Sequence, residues 1–230
     1  MTAARRSLRG LSRPRSELAR KVAERSAAYF KSAGRHFPWR HERDPFRLAV
    51  AEILLQKTRA SSVVATYSAL ILNYPSADKL AAASPSRIER ALASLGLSKK
   101  RSSQLIAMSK TTANSGNSIF DDWRRLLRDV PGLGAYAARA IASFGRGEKV
   151  GIVDANVARI IRRVFRIRTK DPRAVVFQRI ADAIAEASED ARETNFGLLD
   201  IGAAICTPRP LCAECPFESF CPRYGVAAER

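Results

Sequence analysis

Apolar residues recur at helical spacing along most of this chain, in segments rich in Ala, Leu, Arg, Lys and Glu. Proline or glycine interrupts those segments at short intervals, at Pro38, Pro45, Pro75, Pro85, Gly96, Pro131, Gly145 and Pro172. Alternation of β-branched residues is scarce, so the pattern predicts an all-α fold. Helices are expected near 17–32, 46–58, 60–73, 76–82, 85–94, 98–114, 121–129, 135–144, 154–164, 173–186 and 193–204. Ser84-Pro85 and Asp171-Pro172 each place proline at a first helical position. Gly96 suits the left-handed residue that follows a helix, and the run Val150–Val153 reads as strand-like.

With 46% apolar residues, 12 Gly and 11 Pro among 230 residues, the chain can bury the core of one large or two small domains. Its longest apolar runs are short. Leu48–Leu55 contains Glu52, whereas a membrane helix needs about 20 apolar residues, so no membrane span is expected. No signal-peptide core follows the start. The Arg-rich opening (Arg5, Arg6, Arg9, Arg13, Arg15) reads as a flexible basic arm over 1–16, with an organelle transit peptide as the alternative. A cytoplasmic, nucleoid-associated protein is expected.

Lys and Arg number 40 against 22 Asp and Glu, a net charge of +18. Such an excess speaks of partners rather than fold, and nucleic acid is the commonest polyanion. A basic membrane-surface protein is the alternative, but the basic residues are spread through the chain rather than along one amphipathic helix. One dense stretch carries Arg159, Arg162, Arg163, Arg166, Arg168, Lys170 and Arg173.

After residue 204 the chain loses its periodicity. All four cysteines lie there, as Cys206, Cys212, Cys215 and Cys221. Two disulfides are arithmetically possible, yet clustered thiolates in a short loop more often hold a metal. Zinc favours two close cysteine pairs. The single close pair here fits an iron–sulfur cluster better, with zinc as the second option.

Residues 130–134, Val-Pro-Gly-Leu-Gly, join two expected helices. Gly132 and Gly134 allow a tight turn and close approach of another backbone. The helix N-terminus that follows offers free N–H groups to a phosphate, and Leu133 and Arg139 complete the expected contact set. A plain helix–turn–helix connection is the alternative. Asp154, at another helix start, is either an N-cap or a carboxylate placed to stabilise an oxocarbenium-like transition state or activate water. Glu52, amid apolar neighbours, is either on a wet helix face or a buried general acid with a raised pKa.

Together the Pro-Gly-Leu-Gly hairpin, an aspartate eighteen residues after Tyr136 and the four-cysteine tail resemble the helix-hairpin-helix DNA glycosylases of the endonuclease III superfamily. HFPWRHERDPFRLAVAEILLQKT resembles the start shared by adenine and thymine-mismatch glycosylases. VPGLGAYAARAIASFG and VDANVARI are most similar to the thymine-mismatch branch, and FGLLDIGAAIC fits both.

The resemblance implies two helical domains flanking a DNA groove. One, 46–153, is a six-helix bundle with the helix-hairpin-helix; the other joins 17–45 to 154–230 and carries a 4Fe–4S cluster on Cys206, Cys212, Cys215 and Cys221. Relatives usually place six residues between the first two cysteines; this chain has five. Asp154 matches the family's essential aspartate. Glu52 matches a catalytic or base-contacting glutamate that endonuclease III lacks. Gln56 and Lys57 fall where relatives insert a wedge into the duplex. Bifunctional relatives carry a lysine at the position of Tyr136, and a phenol cannot form their Schiff base. Adenine enzymes usually carry serine there and commonly add a C-terminal domain; this chain ends nine residues after Cys221.

The expectation is therefore a monomeric, monofunctional glycosylase acting on double-stranded DNA with a mismatched base, removing thymine or uracil opposite guanine. An adenine glycosylase and a non-enzymatic helix-hairpin-helix DNA-binding protein are the alternatives.

Overall fold

The computed structural model describes residues 13–116 and 118–226. Among them eleven α-helices are joined by turns and short 3-10 segments, with no strand. They are α1 (Arg13–Ala33), α2 (Pro45–Leu55), α3 (Ala60–Asn73), α4 (Ala77–Ala81), α5 (Pro85–Ala91), α6 (Ser98–Ser115), α7 (Trp123–Asp129), α8 (Ala135–Arg146), α9 (Ala155–Phe165), α10 (Val175–Ala187) and α11 (Ala191–Ala204). No helix among the described residues is long and apolar enough to cross a membrane.

Local chemistry explains most of the starts. Asp44 accepts from Phe46 N at 2.8 Å ahead of Pro45, Asp122 from Arg124 N at 2.9 Å, and Asp190 from Glu193 N at 3.0 Å. Each such cap stabilises its helix by about 1 kcal/mol.

Four expectations change. Residues 1–12 of the basic arm lie outside the described residues, and 13–16 are already helical. The helix expected over 46–58 stops at Leu55, because Lys57 takes a left-handed φ of 54°. Asp171-Pro172 starts no helix. Asp171 instead closes a turn, accepting from Arg173 N through its side chain and from Ala174 N through its carbonyl, and α10 begins at Val175. Val150–Val153 belongs to no sheet. Side chains replace a ladder there: Asn195 Nδ2 donates to Val150 O at 3.0 Å, Gln178 Nε2 donates to Gly151 O at 2.9 Å, and Asp182 accepts from Gly151 N at 3.0 Å.

The chain divides into two compact units, one from His36 to Arg146 and one joining the N-terminal segment through Arg35 to Gly147 onward. Residues 36–45 and 147–153 thus fall in the unit opposite to the one expected. Trp39 explains the first case, since it is 5% exposed and meets the Tyr67 ring edge-on. The hydrogen bonds to Val150 and Gly151 explain the second.

In the 36–146 unit, α2 packs on α3, α6 and α8, α6 packs on α4 and α5, and α7 packs on α8. It holds seven helices, each near a position expected from the sequence, against the six-helix bundle that the resemblance implied; the shortest, α4, has five residues. In the other unit, α1 packs on α10 and α11, and α9 packs on both of these. Its core gathers Val22, Ile160, Ile161, Ile184, Leu198 and Phe217.

Candidate active site

Glu52 lies on α2 at 9% exposure, between Ala51 and Ile53, which are fully buried. Burial pushes its carboxyl up from 4.5 to about 8, and the nearby Arg40 guanidinium opposes that rise. At neutral pH such a group carries a proton, so it can donate one.

The turn after α2 is held in place. Gln56 Nε2 donates to Gly132 O at 3.0 Å, and Gln104 Nε2 from α6 approaches the same carbonyl at 3.4 Å. The expected wedge residue Gln56 is thus engaged with the hairpin, while Lys57 is exposed.

The hairpin between α7 and α8 closes with Leu133 N donating to Val130 O. Gly132 has φ of +86°, and a Cβ there would strike the Gln104 side chain. A Cβ on Gly134 would meet nothing within 4 Å, so this backbone is open to approach. Leu133 is 4% exposed. Its side chain is core, and only its backbone is available to a phosphate. Tyr136 is half-buried in the first turn of α8. The Arg139 guanidinium stacks on the Trp123 ring at 4.2 Å, and Arg124 stacks on it at 4.4 Å. Trp123 therefore fixes an arginine beside the hairpin, a contact the sequence does not announce.

In the second unit Asp154 caps α9, accepting from Val157 N at 2.7 Å and from Asn156 Nδ2 at 3.0 Å. Oδ1 takes the backbone cap and Oδ2 the Asn156 amide, so the N-cap reading of its sequence position is observed directly. Arg159 continues the chain of contacts, donating to Asn156 Oδ1 at 2.8 Å, to Gly202 O at 2.8 Å and to Cys206 O at 2.6 Å.

The four cysteines line one pocket with Arg163, Ile205, Phe217 and Val226. Arg163 is 4% exposed, and donates to Cys206 Sγ at 3.2 Å, Thr207 O at 2.7 Å and Pro208 O at 3.1 Å. Burial pushes the Cys215 thiol up to about 11, with Cys206, Cys221 and Cys212 adding to the rise. Among the described residues no three His, Cys, Asp or Glu are drawn together as for a single ion. The dense basic stretch is therefore not one charged face: Arg159 and Arg163 turn inward onto the tail.

Glu52, Gln56, Lys57, the hairpin, Tyr136 and Arg139 thus share one unit, and Asp154 shares the other with the four cysteines. The family described as HhH-GPD superfamily base excision DNA repair proteins matches residues 50–186, a span holding every one of these residues except the cysteines. The chain belongs to this superfamily.

Two relatives within the superfamily bracket it. A thymine/uracil-DNA glycosylase of Methanothermobacter thermautotrophicus is 30% identical over 199 residues, covering 85% of this chain and 90% of the relative. An adenine DNA glycosylase of Homo sapiens is 31% identical over 221 residues, covering 89% of this chain but 40% of the relative. The solved structure of a thermostable thymine-DNA glycosylase superposes with a TM-score of 0.82 at 30% identity, covering 90% of this chain and 96% of that one. Within the HhH-GPD superfamily the chain is a DNA N-glycosylase, and its all-helical fold is that of the endonuclease III-like members.

Proposed function

We propose that this glycosylase acts as a monomer on double-stranded DNA, releasing thymine or uracil paired with guanine and leaving the strand intact. The observation that carries the reading is Tyr136 in the first turn after the hairpin: a phenol stands where strand-cleaving relatives carry an amine, so no imine with the sugar can form there. Near-complete mutual coverage with the thymine/uracil and thymine glycosylases supports it.

The hairpin backbone at Gly132, Leu133 and Gly134, with Arg139, grips phosphates and fixes the register without reading sequence. Lys57 enters the duplex as the mispaired pyrimidine turns out, with Gln56 following only by giving up its bond to Gly132 O, and the extrusion costs about a few kcal/mol, least for a mismatch. Tyr136 and the protonated Glu52 face the extruded base. The Asp154 carboxylate stabilises positive charge at C1′ as the N-glycosidic bond breaks. Water then adds its hydroxyl to C1′, and the base departs carrying a proton.

Cys206, Cys212, Cys215 and Cys221 are suited to a 4Fe–4S cluster. All four cysteines line one pocket with Ile205, Phe217 and Val226, and Arg163 beside Cys206 would offset the negative charge of thiolates bound to a cluster. A cluster there would close the tail over 206–221 on itself just beyond α11 rather than act on the base. Purified protein should contain iron and sulfide and be brown; colourless protein with bound zinc would contradict the assignment.

A second reading, release of adenine opposite guanine or 8-oxoguanine, draws on Glu52, since a buried acid can protonate a departing purine. Labelled G·T, G·U, A·G and A·8-oxoguanine duplexes, incubated with the enzyme and then treated with hot alkali, separate the two. Breaks at T and U support the proposal, breaks only at A support the second reading, and no breaks in any duplex would contradict both.

A further inference from the structure

Arg101 on α6 is 1% exposed, although nothing in the sequence distinguishes it from its solvated neighbours Lys99 and Lys100. Its Nη1 donates to Leu95 O at 2.8 Å and Gly96 O at 2.7 Å, and its Nη2 donates to Gln56 O and Thr58 Oγ1. These four acceptors match the four terminal N–H bonds of a guanidinium, while the fifth donor, Nε–H, is buried without a partner. All are carbonyl or hydroxyl oxygens. Burying a cation is costly unless its donors are satisfied, and a core position could be filled by an apolar side chain at less expense. What the guanidinium provides instead is a planar fork with fixed angles between two partners.

Those partners are two surface turns from different parts of the 36–146 unit. Each holds a non-glycine residue in the left-handed region, Lys57 at φ 54° and Leu97 at φ 50°, beside Gly96 at φ 68°. Both side chains point outward: Lys57 is exposed, and Leu97 is 54% exposed although large and apolar. The first turn is tied in addition to the hairpin through Gln56 and Gly132. One buried side chain therefore spaces two strained turns beside the phosphate-gripping backbone.

We propose that Arg101 is a positioning residue: by locking the Gln56–Thr58 turn to the Leu95–Leu97 turn it sets the geometry with which this protein extrudes a base. It never touches the reacting atoms. The inference rests on the glycosylase reading above and assigns Arg101 to extrusion rather than to bond cleavage.

The test uses full-length Arg101→Lys, Arg101→Met and Thr58→Ala in single-turnover base release. One substrate is a G·U duplex, and the other is the same strand with uracil opposite an abasic site, where pairing no longer resists extrusion. A 2-aminopurine next to the uracil reports unstacking. Misplacing the turns should slow both unstacking and release in the G·U duplex by about tenfold or more for Arg101→Lys, with the loss largely recovered opposite the abasic site. Thr58→Ala, which deletes one acceptor on an exposed turn, should show the same pattern more weakly and decides the matter if Arg101→Met does not fold. Equal loss on both substrates, or unchanged unstacking in Arg101→Lys, would overturn the inference. Wild-type protein inert on both substrates would instead reject the thymine/uracil reading.

Discussion

Glu52 carries the clearest pH dependence in the molecule. Its carboxyl sits at about 8 in the folded protein against 4.5 when unfolded, because the apolar wall around it favours the neutral acid. Folding therefore retains its proton. That contribution to stability is fully present below about 4.5 and is lost as pH rises through about 8. The denaturation midpoint should fall between roughly pH 5 and pH 8 and level off above that, and Glu52→Gln should flatten the decline. A wild-type slope surviving in Glu52→Gln would mean that another group is responsible. Base release should instead follow the proton on the folded protein's Glu52, falling above about pH 8 in the wild type.

Asp154 admits a cleaner separation, because asparagine can still cap α9 through its Oδ1 while losing the charge. Asp154→Asn should slow base release by about a thousandfold or more, with duplex binding and melting temperature close to wild type. A mutant that turns over normally would leave Asp154 as a cap only.

At the scale of elements, α1 and α11 approach closely through Gly197, where a Cβ would land on the Ser26 carbonyl. Backbone cannot yield there as a side-chain end could. Gly197→Ala should therefore destabilise the protein by about 2–4 kcal/mol in denaturant; a change within a few tenths would show that the helices slide apart freely. Helices are the most legible feature of the sequence, since each is bounded by a proline, glycine or capping side chain acting within a turn of its target. The ends that differ from expectation have non-local causes. The turn after Leu55 is held by Arg101, forty-three residues beyond Thr58, and the extended segment at 150–153 is held by Gln178, Asp182 and Asn195. Arg101, Gln104 and Trp123 carry no motif, so their roles emerge only from what they touch.

For the whole molecule, the charge excess points correctly to nucleic acid, but its distribution does not follow from the sequence. Arg159 and Arg163 serve the cysteine tail, and Arg139 leans on Trp123. The hairpin, Asp154, Glu52 and the four cysteines each have a second reading from spacing alone, and the resemblance to the family is what makes them candidates. The domain boundary is not, because packing around Trp39 and Asn195 moves it.

The central claim is hydrolysis without an amine nucleophile. It is tested most directly by incubating a labelled G·U duplex with the enzyme and resolving the strands with and without hot alkali. An intact strand before alkali and a single break at the uracil after it are expected; a break that appears before alkali would contradict hydrolysis without an amine.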